Sequence, residues 1–194
     1  LLPVEEQQLG TEPPDPRVIL EKELSSYHST HHSLERLYKE ISGNEILWRS
    51  TPTIAPVEDP SVSSHYGRRR DPFTNIPAFH SGIDFSGPAG TPIYAPADGI
   101  VRKAGPATGY GLLVELDHGS GISIKNFKPT DYMTRYGHLS RLAVQANQFI
   151  QRGELLGYTG NTGRSTSSHL HYEIHTNKRP INPWRNLSHF SISR

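Results

Sequence analysis

His169-Leu170-His171-Tyr172-Glu173-Ile174-His175 alternates strictly between polar and apolar side chains. Leu170, Tyr172 and Ile174 fall on one side, and His169, His171, Glu173 and His175 on the other. Period two is the signature of a half-buried β-strand. The apolar side faces a core. The other side projects two imidazoles from positions i and i+2, roughly 7 Å apart along the strand. That is too wide for direct contact, but it lets one ring bind a metal while the other hangs over whatever the metal holds. An exposed strand edge that happens to carry histidines would show the same pattern, so the choice falls to the rest of the chain.

The chain of 194 residues fits one domain plus an appendage. Its formal charge of +1 argues against a nucleic-acid binder that works by bulk charge. Seventeen Gly and sixteen Pro indicate many turns and few long helices. Without Cys there are no disulfides, no thiolate metal sites and no Cys nucleophile. Eleven His make a metal or proton-transfer site worth seeking. No apolar run approaches the roughly 20 residues of a membrane span. The first residue is Leu1, which reads as a fragment, one from which a signal peptide or membrane anchor could have been removed.

Residues 1–60 read as an N-terminal arm. Leu1 to Arg17 is rich in Pro, Glu and Gln and has little to bury. Asp15-Pro16 offers a helix start, and Gly43-Asn44 a stop, which predicts one helix over about 16–42. Within it Leu20, Leu24, Tyr27, His31, Leu34, Tyr38 and Ile41 recur at alternating spacings of 4 and 3, a heptad seam. The seam packs on its own domain, on a helix of another chain, or as the end of an upstream coiled coil. His28, His31 and His32 cluster there without a patterned carboxylate and read as surface residues. Ser50 to Pro60 holds three Pro between Pro52 and Pro60 with no periodicity, and reads as an extended linker. The domain boundary is expected near Pro60.

From Ser61 the texture changes to short β-prone runs broken by Gly and Pro. Strands are predicted at 82–85, 92–95, 99–104, 112–117, 148–151, 154–159 and 169–176. Breakers recur every eight to twelve residues, which fits a sandwich or antiparallel sheet and disfavours a doubly wound parallel sheet. The predicted fold class is therefore mainly β, an antiparallel sheet groove or sandwich with an N-terminal helical arm.

Three stretches of residues 61–194 carry chemistry. In His80-Ser-Gly-Ile-Asp84 the His and Asp are four apart, so an extended strand puts both on one face with Gly82 between them, where a side chain would obstruct a ligand. Tyr136-Gly-His138-Leu-Ser140 places a His beside a glycine near a strand end. Gly160 to Ser168, small and polar, reads as a flexible loop that borders a cleft and leads into the His169–His175 strand. Together these supply His, Asp and His as zinc ligands, with two further His. Three protein ligands with an open fourth position define a catalytic site rather than a structural one. Neutral imidazoles beside it can take a proton and support a developing oxyanion. The constellation suits hydrolysis of an amide.

These stretches, in this order, resemble the M23 (lysostaphin, LytM-type) zinc metallopeptidases, whose signature is His-x-x-x-Asp followed far downstream by His-x-His. Here the two parts are His80 to Asp84 and His169-Leu-His171. Gly90-Thr-Pro-Ile-Tyr-Ala-Pro-Ala-Asp-Gly99, Asp117-His-Gly119, Tyr136-Gly-His-Leu-Ser140, Gly160-Asn-Thr-Gly-Arg-Ser165 and Ile181-Asn-Pro183 agree, over roughly Ser64 to Trp184. The resemblance implies a LytM-like antiparallel sheet groove and cleavage of peptide cross-links in bacterial peptidoglycan. It implies Zn2+ held by His80, Asp84 and His171, with His138 and His169 catalytic. The partner implied is the peptidoglycan stem peptide, and the location is the cell envelope, in the periplasm.

The sequence departs from that pattern at Gly121 to Arg135, about ten residues longer than expected between the Asp-His-Gly turn and the Tyr-x-His phrase. An insertion just before His138 is expected on the groove rim, with the stretch around Ser123 to Tyr132 shaping specificity or covering the site. No second wall-binding module is visible, which favours a Gram-negative D,D-endopeptidase. Two other readings stand beside it. Some relatives have lost metal ligands and act as binding modules that activate amidases. Alternatively the enzyme is latent, with its arm or linker in the groove.

Overall fold

The computed structural model describes residues 45–187. The chain divides into two units, residues 1–43 and 44–194. The expected helix over 16–42, its heptad seam and the His28, His31 and His32 cluster lie outside the described residues.

A short helix α1 (Glu45–Arg49) precedes thirteen strands: β1 (Ser61–Ser64), β2 (Gly67–Arg70), β3 (Pro77–His80), β4 (Ile83–Ser86), β5 (Pro92–Tyr94), β6 (Gly99–Ala107), β7 (Gly111–Ile122), β8 (Pro129–Leu139), β9 (Arg141–Leu142), β10 (Phe149–Ile150), β11 (Leu155–Tyr158), β12 (His169–Thr176) and β13 (Arg179–Ile181). The main sheet runs β1-β4-β12-β8-β7-β6-β10, with β13 paired to β12. β5, β11 and β9 form a second sheet, and β2 and β3 a separate hairpin. Every pairing is antiparallel. The expected mainly β, antiparallel class is the observed one. Among the described residues, no helix is long and apolar enough to cross a membrane.

The core follows from the alternation on β12. Leu170, Tyr172 and Ile174 are fully buried and pack with Ile83 and Phe85 of β4 and Tyr136 of β8. The polar side of β12 is covered as well: His171, Glu173 and His175 are buried. The strand is thus enclosed on both faces, not half-exposed.

Two sequence expectations change here. The long segment before His138 does not border the groove. It lengthens the β7–β8 hairpin, whose turn lies between Ile122 and Pro129, at the opposite end of β8 from His138. Period-two β-structure absorbs the extra residues, so they extend two central strands. The second change concerns Ser50 to Pro60. Thr51, Thr53, Ile54 and Val57 are buried, where a solvated linker was expected. Thr51 Oγ1 accepts from the Ile122 N–H at 2.8 Å, and the Tyr94 N–H donates to Pro56 O at 2.8 Å. The Pro-rich stretch lacks periodicity because it is a strap lying on the sheet, held by individual side chains. What it packs against is partly the extended β7–β8 hairpin.

His118, at the bulge that interrupts β7 between Asp117 and Gly119 where a turn was expected, is a buried structural residue. Its Nδ1–H donates to Asp98 O at 2.7 Å. Nε2 is then an acceptor, taking the Thr134 hydroxyl at 2.8 Å, and Thr134 in turn accepts from Tyr136 OH at 2.8 Å. Burial lowers the His118 pKa from 6.5 to about 4. The folded ring stays neutral while the unfolded one charges, so the unfolded state binds more protons between about pH 4 and 6.5. Stability from this residue is therefore full above pH 6.5 and is lost as pH falls towards 4, to the extent of ~3 kcal/mol. Thermal melts across that window should show the decline, and His118→Gln should flatten it while lowering stability at pH 7.5.

Candidate metal centre and active site

β12 lies between β4 and β8, and this position assembles the site. His171 stands opposite Asp84 on one side and Gly137 on the other. Opposed residues of neighbouring strands share a face, so the pairing alone brings His171 and Asp84 together. A Cβ on Gly137 would stand 3.1 Å from the Tyr110 ring and 3.5 Å from His171 Cβ, so glycine there leaves room for both rings.

His80 does not share a strand with Asp84, as the four-residue spacing suggested. It ends β3, and the chain turns at Ser81-Gly82 before β4 begins. Gly82 also serves a different purpose from the one its position suggested. A Cβ there would overlap the carbonyl oxygen of Tyr172, so the glycine allows the link to press against β12.

His80 Nε2 lies 3.0 Å from Asp84 Oδ1 and 3.0 Å from His171 Nδ1, and His171 Nδ1 lies 2.8 Å from Asp84 Oδ1. Among the described residues these three form a group whose ligand atoms lie within 4.8 Å of one another, all buried. The donor set is two imidazole nitrogens and one carboxylate oxygen, which suits zinc and other divalent transition metals. The orientation of His80 fits such an ion. Its Nδ1–H donates to His65 O at 2.9 Å, which leaves the Nε2 lone pair facing the group. Burial disfavours a charged His171, but its bonds to Asp84 and Glu173 prevail and push it up to about 9. Burial likewise opposes ionisation of Asp84, yet bonds from His171 and His80 hold its carboxyl well below the usual range. A cation held by this group would face a ready anionic oxygen.

His138 and His169 stand over this group. His138 is the last residue but one of β8 and has φ +65°, an unusual conformation for a residue with a side chain. Its N–H donates to Tyr110 O at 2.7 Å and its Nδ1–H to Thr162 O at 2.8 Å, which leaves Nε2 as the nitrogen able to take a proton. Burial lowers its pKa to about 4, and the neighbouring His169 and His171 act in the same direction. His169 Nδ1 is held by Ser167 O at 2.8 Å and Ser165 Oγ at 3.1 Å. Its Nε2 reaches to 3.8 Å from Asp84 Oδ1, and its ring centroid is 4.8 Å from that of His138. The structure thus brings together all five residues singled out in the sequence.

The loop read as flexible is tied down. Thr162 Oγ1 donates to Leu139 O at 2.7 Å and accepts from the Leu112 N–H at 2.9 Å. Arg164 bonds Asp71 at 2.7 Å and lies over the Phe73 ring. Sequence reasoning missed Tyr110, whose ring lies beside His171 at 5.7 Å between centroids, and Arg69, 3.6 Å from Asp84 Oδ2. Neither has a periodic or spacing signal, since each reaches the site from a loop or a separate hairpin.

Comparison with known proteins gives a consistent picture. The sequence profile described as Peptidase family M23 matches residues 78–183. The DD-carboxypeptidase/endopeptidase Mpg of Neisseria meningitidis is 39% identical over 130 residues, 67% of this chain and 28% of Mpg. The peptidoglycan DD-endopeptidase ShyA of Vibrio cholerae is 41% identical over 122 residues, 62% of this chain and 26% of ShyA. The chain thus spans just over a quarter of the length of these relatives. Among solved structures, a zinc-containing peptidase from Vibrio cholerae matches with a TM-score of 0.55 and 29% identity, over 67% of this chain and 39% of that one.

Proposed function

The chain belongs to peptidase family M23, and from that premise we propose that it is a zinc-dependent D,D-endopeptidase that cuts peptide cross-links of bacterial peptidoglycan. The observation that carries this reading is the meeting of His80 Nε2, Asp84 Oδ1 and His171 Nδ1 beneath His138 and His169. The substrate class is taken from the relatives, one named a peptidoglycan DD-endopeptidase and the other a DD-carboxypeptidase/endopeptidase. The place of action is the envelope, in the periplasm. The zinc-containing neighbour and the nitrogen-oxygen donor set support zinc as the metal.

His80, Asp84 and His171 would hold the zinc, which would serve as a Lewis acid able to polarise a carbonyl and to lower the pKa of water to about 7. The protein's own groups do the rest. His138 is neutral at working pH and can accept a proton at Nε2 and return it to a leaving amine. His169, whose Nδ1–H donates to Ser167 O, turns a bare Nε2 towards the metal group, and once that nitrogen takes up a proton it can support negative charge developing on the scissile carbonyl. Because Thr162 and Tyr110 fix His138 from behind, little reorganisation is needed when the proton moves. All five residues are in place, which disfavours an amidase-activating module that has lost its ligands.

Digestion of purified cross-linked peptidoglycan, followed by mass spectrometry, tests the assignment. Dimeric muropeptides should disappear in favour of monomeric stem peptides, with about one zinc bound per chain. Free glycan with intact stems would show an amidase instead. A metal-free, inactive chain would return the reading to a binding module.

A further inference from the structure

Glu173 lies two residues beyond His171 on the same face of β12, and its side chain has no solvent exposure. We propose that Glu173 is a positioning residue for the metal centre: its carboxylate holds His171 through Nε2, so that Nδ1 is the lone-pair nitrogen turned to His80 and Asp84. This inference rests on the reading that those three residues hold a metal.

Donors surround the carboxylate. Oε1 accepts from Ser81 Oγ, from Tyr110 OH at 2.9 Å and from His171 Nε2 at 3.0 Å. Oε2 accepts from His175 Nε2 at 2.6 Å, and Arg135 Nη1 lies 3.7 Å away. An ionised carboxylate can only accept hydrogen bonds. The ring nitrogen that faces it must therefore carry the proton. In a neutral imidazole that leaves the other nitrogen bare, and in His171 it is Nδ1 that stands 3.0 Å from His80 Nε2. A carboxylate behind a metal-bound histidine also raises the basicity of the ring and fixes its rotation.

Apolar packing does not require an acid at this place. Burying a carboxylate is costly unless its oxygens are fully bonded, and here four side chains hydrogen-bond it, two from its own strand and two from other parts of the fold, with Arg135 at ion-pair distance. Ser81 belongs to the link between His80 and Asp84, Tyr110 to the turn between β6 and β7, and Arg135 to β8. Gly82 yields the space, since a Cβ there would stand 3.0 Å from Glu173 Cγ. His175 is held by Glu173 through Nε2, and its buried Nδ1 has no hydrogen-bond partner among the described residues. The cluster reads as a support built behind one metal ligand.

The test uses the whole chain and zinc as the probe. Zinc affinity is measured by competition with a chelator, melting of the metal-free protein by circular dichroism, and the His171 tautomer by long-range 1H–15N NMR of the zinc-loaded form. Glu173→Gln keeps size but presents an amide to a set of donors. It should bind zinc about 10- to 100-fold more weakly, with the proton no longer fixed on Nε2. Tyr110→Phe keeps the carboxylate and removes one donor, so it should weaken zinc binding less, in the same direction. Parent-like affinity and tautomer in a folded Glu173→Gln chain would overturn the proposal. If Glu173→Gln does not fold, Tyr110→Phe decides: weaker binding supports the role and parent-like binding overturns it. A parent chain that takes up no zinc would overturn the metal reading itself, and the positioning role with it.

Discussion

His171→Ala is expected to be metal-poor and inactive, whereas His138→Ala and His169→Ala should keep their metal and turn over about 10²- to 10⁴-fold more slowly. The structure gives each histidine a distinct place. His171 Nδ1 sits 2.8 Å from Asp84 Oδ1 and 3.0 Å from His80 Nε2, inside the ligand group. Removing it leaves two ligands, which hold zinc poorly. His169 approaches no closer than 3.8 Å to Asp84 Oδ1, and its other nitrogen is engaged by Ser167 and Ser165. His138 is tied to Thr162 and Tyr110, with its ring centroid 5.9 Å from that of His171. Neither belongs to the ligand group, so their loss should spare metal content. Zinc per chain is measured beside turnover on a cross-linked peptide. Retention of zinc by His171→Ala with its loss from His169→Ala would reverse the two roles. Full turnover in all three variants would end the catalytic reading. His175, though on the same face, is a buried partner of Glu173 and not a free surface residue. Changing it to Ala would leave a cavity and remove a donor from a buried carboxylate, so His175→Ala should destabilise the fold.

The parts of this fold legible in the sequence are those with local periodicity. β12 shows it strongly: polar and apolar side chains alternate from His169 to His175, and the observed strand spans His169–Thr176. The site is legible for the same reason, since its residues sit in short phrases around strand ends. β8 escaped notice, although it is eleven residues long and central. Its outer part, Pro129-Thr-Asp-Tyr-Met-Thr-Arg135, mixes polar and apolar residues without alternation, because several of its contacts are polar. Tyr132 OH bonds Ile122 O, Thr134 bonds His118, and Arg135 bonds Glu115. The β2–β3 hairpin was equally silent: its exposed faces carry Arg68, Arg70 and Phe79, so no core-facing pattern marks it. Glu173 was visible only as a polar member of an alternation. Its importance comes from Ser81, Tyr110 and Arg135, which lie between 38 and 92 residues away in sequence.

A chain beginning at Ser61 is expected to be severely destabilised, while one beginning at Asn44 should melt like the whole protein. Composition placed the boundary near Pro60, but the β unit begins at residue 44. Cutting at Ser61 removes Ile54 and Val57 from the protein interior, each worth about 1.5–3 kcal/mol. It also removes the acceptors of the Ile122, Tyr94 and Asp98 N–H groups, supplied by Thr51 Oγ1, Pro56 O and Arg49 O. A buried donor left unpaired costs about 1–3 kcal/mol. Against a typical total of about 5–15 kcal/mol, losses of this size lower the melting temperature by tens of degrees or abolish folding. Equal melting temperatures for the two shortened chains would show that the strap has no structural role. The choice of start also decides how latency is tested. Low activity of a chain cut at Ser61 would report lost stability and say nothing about the arm. The clean comparison removes only residues 1–43. A rise in turnover with an unchanged melting temperature would show that those residues restrain the enzyme. Unchanged turnover would show that they do not.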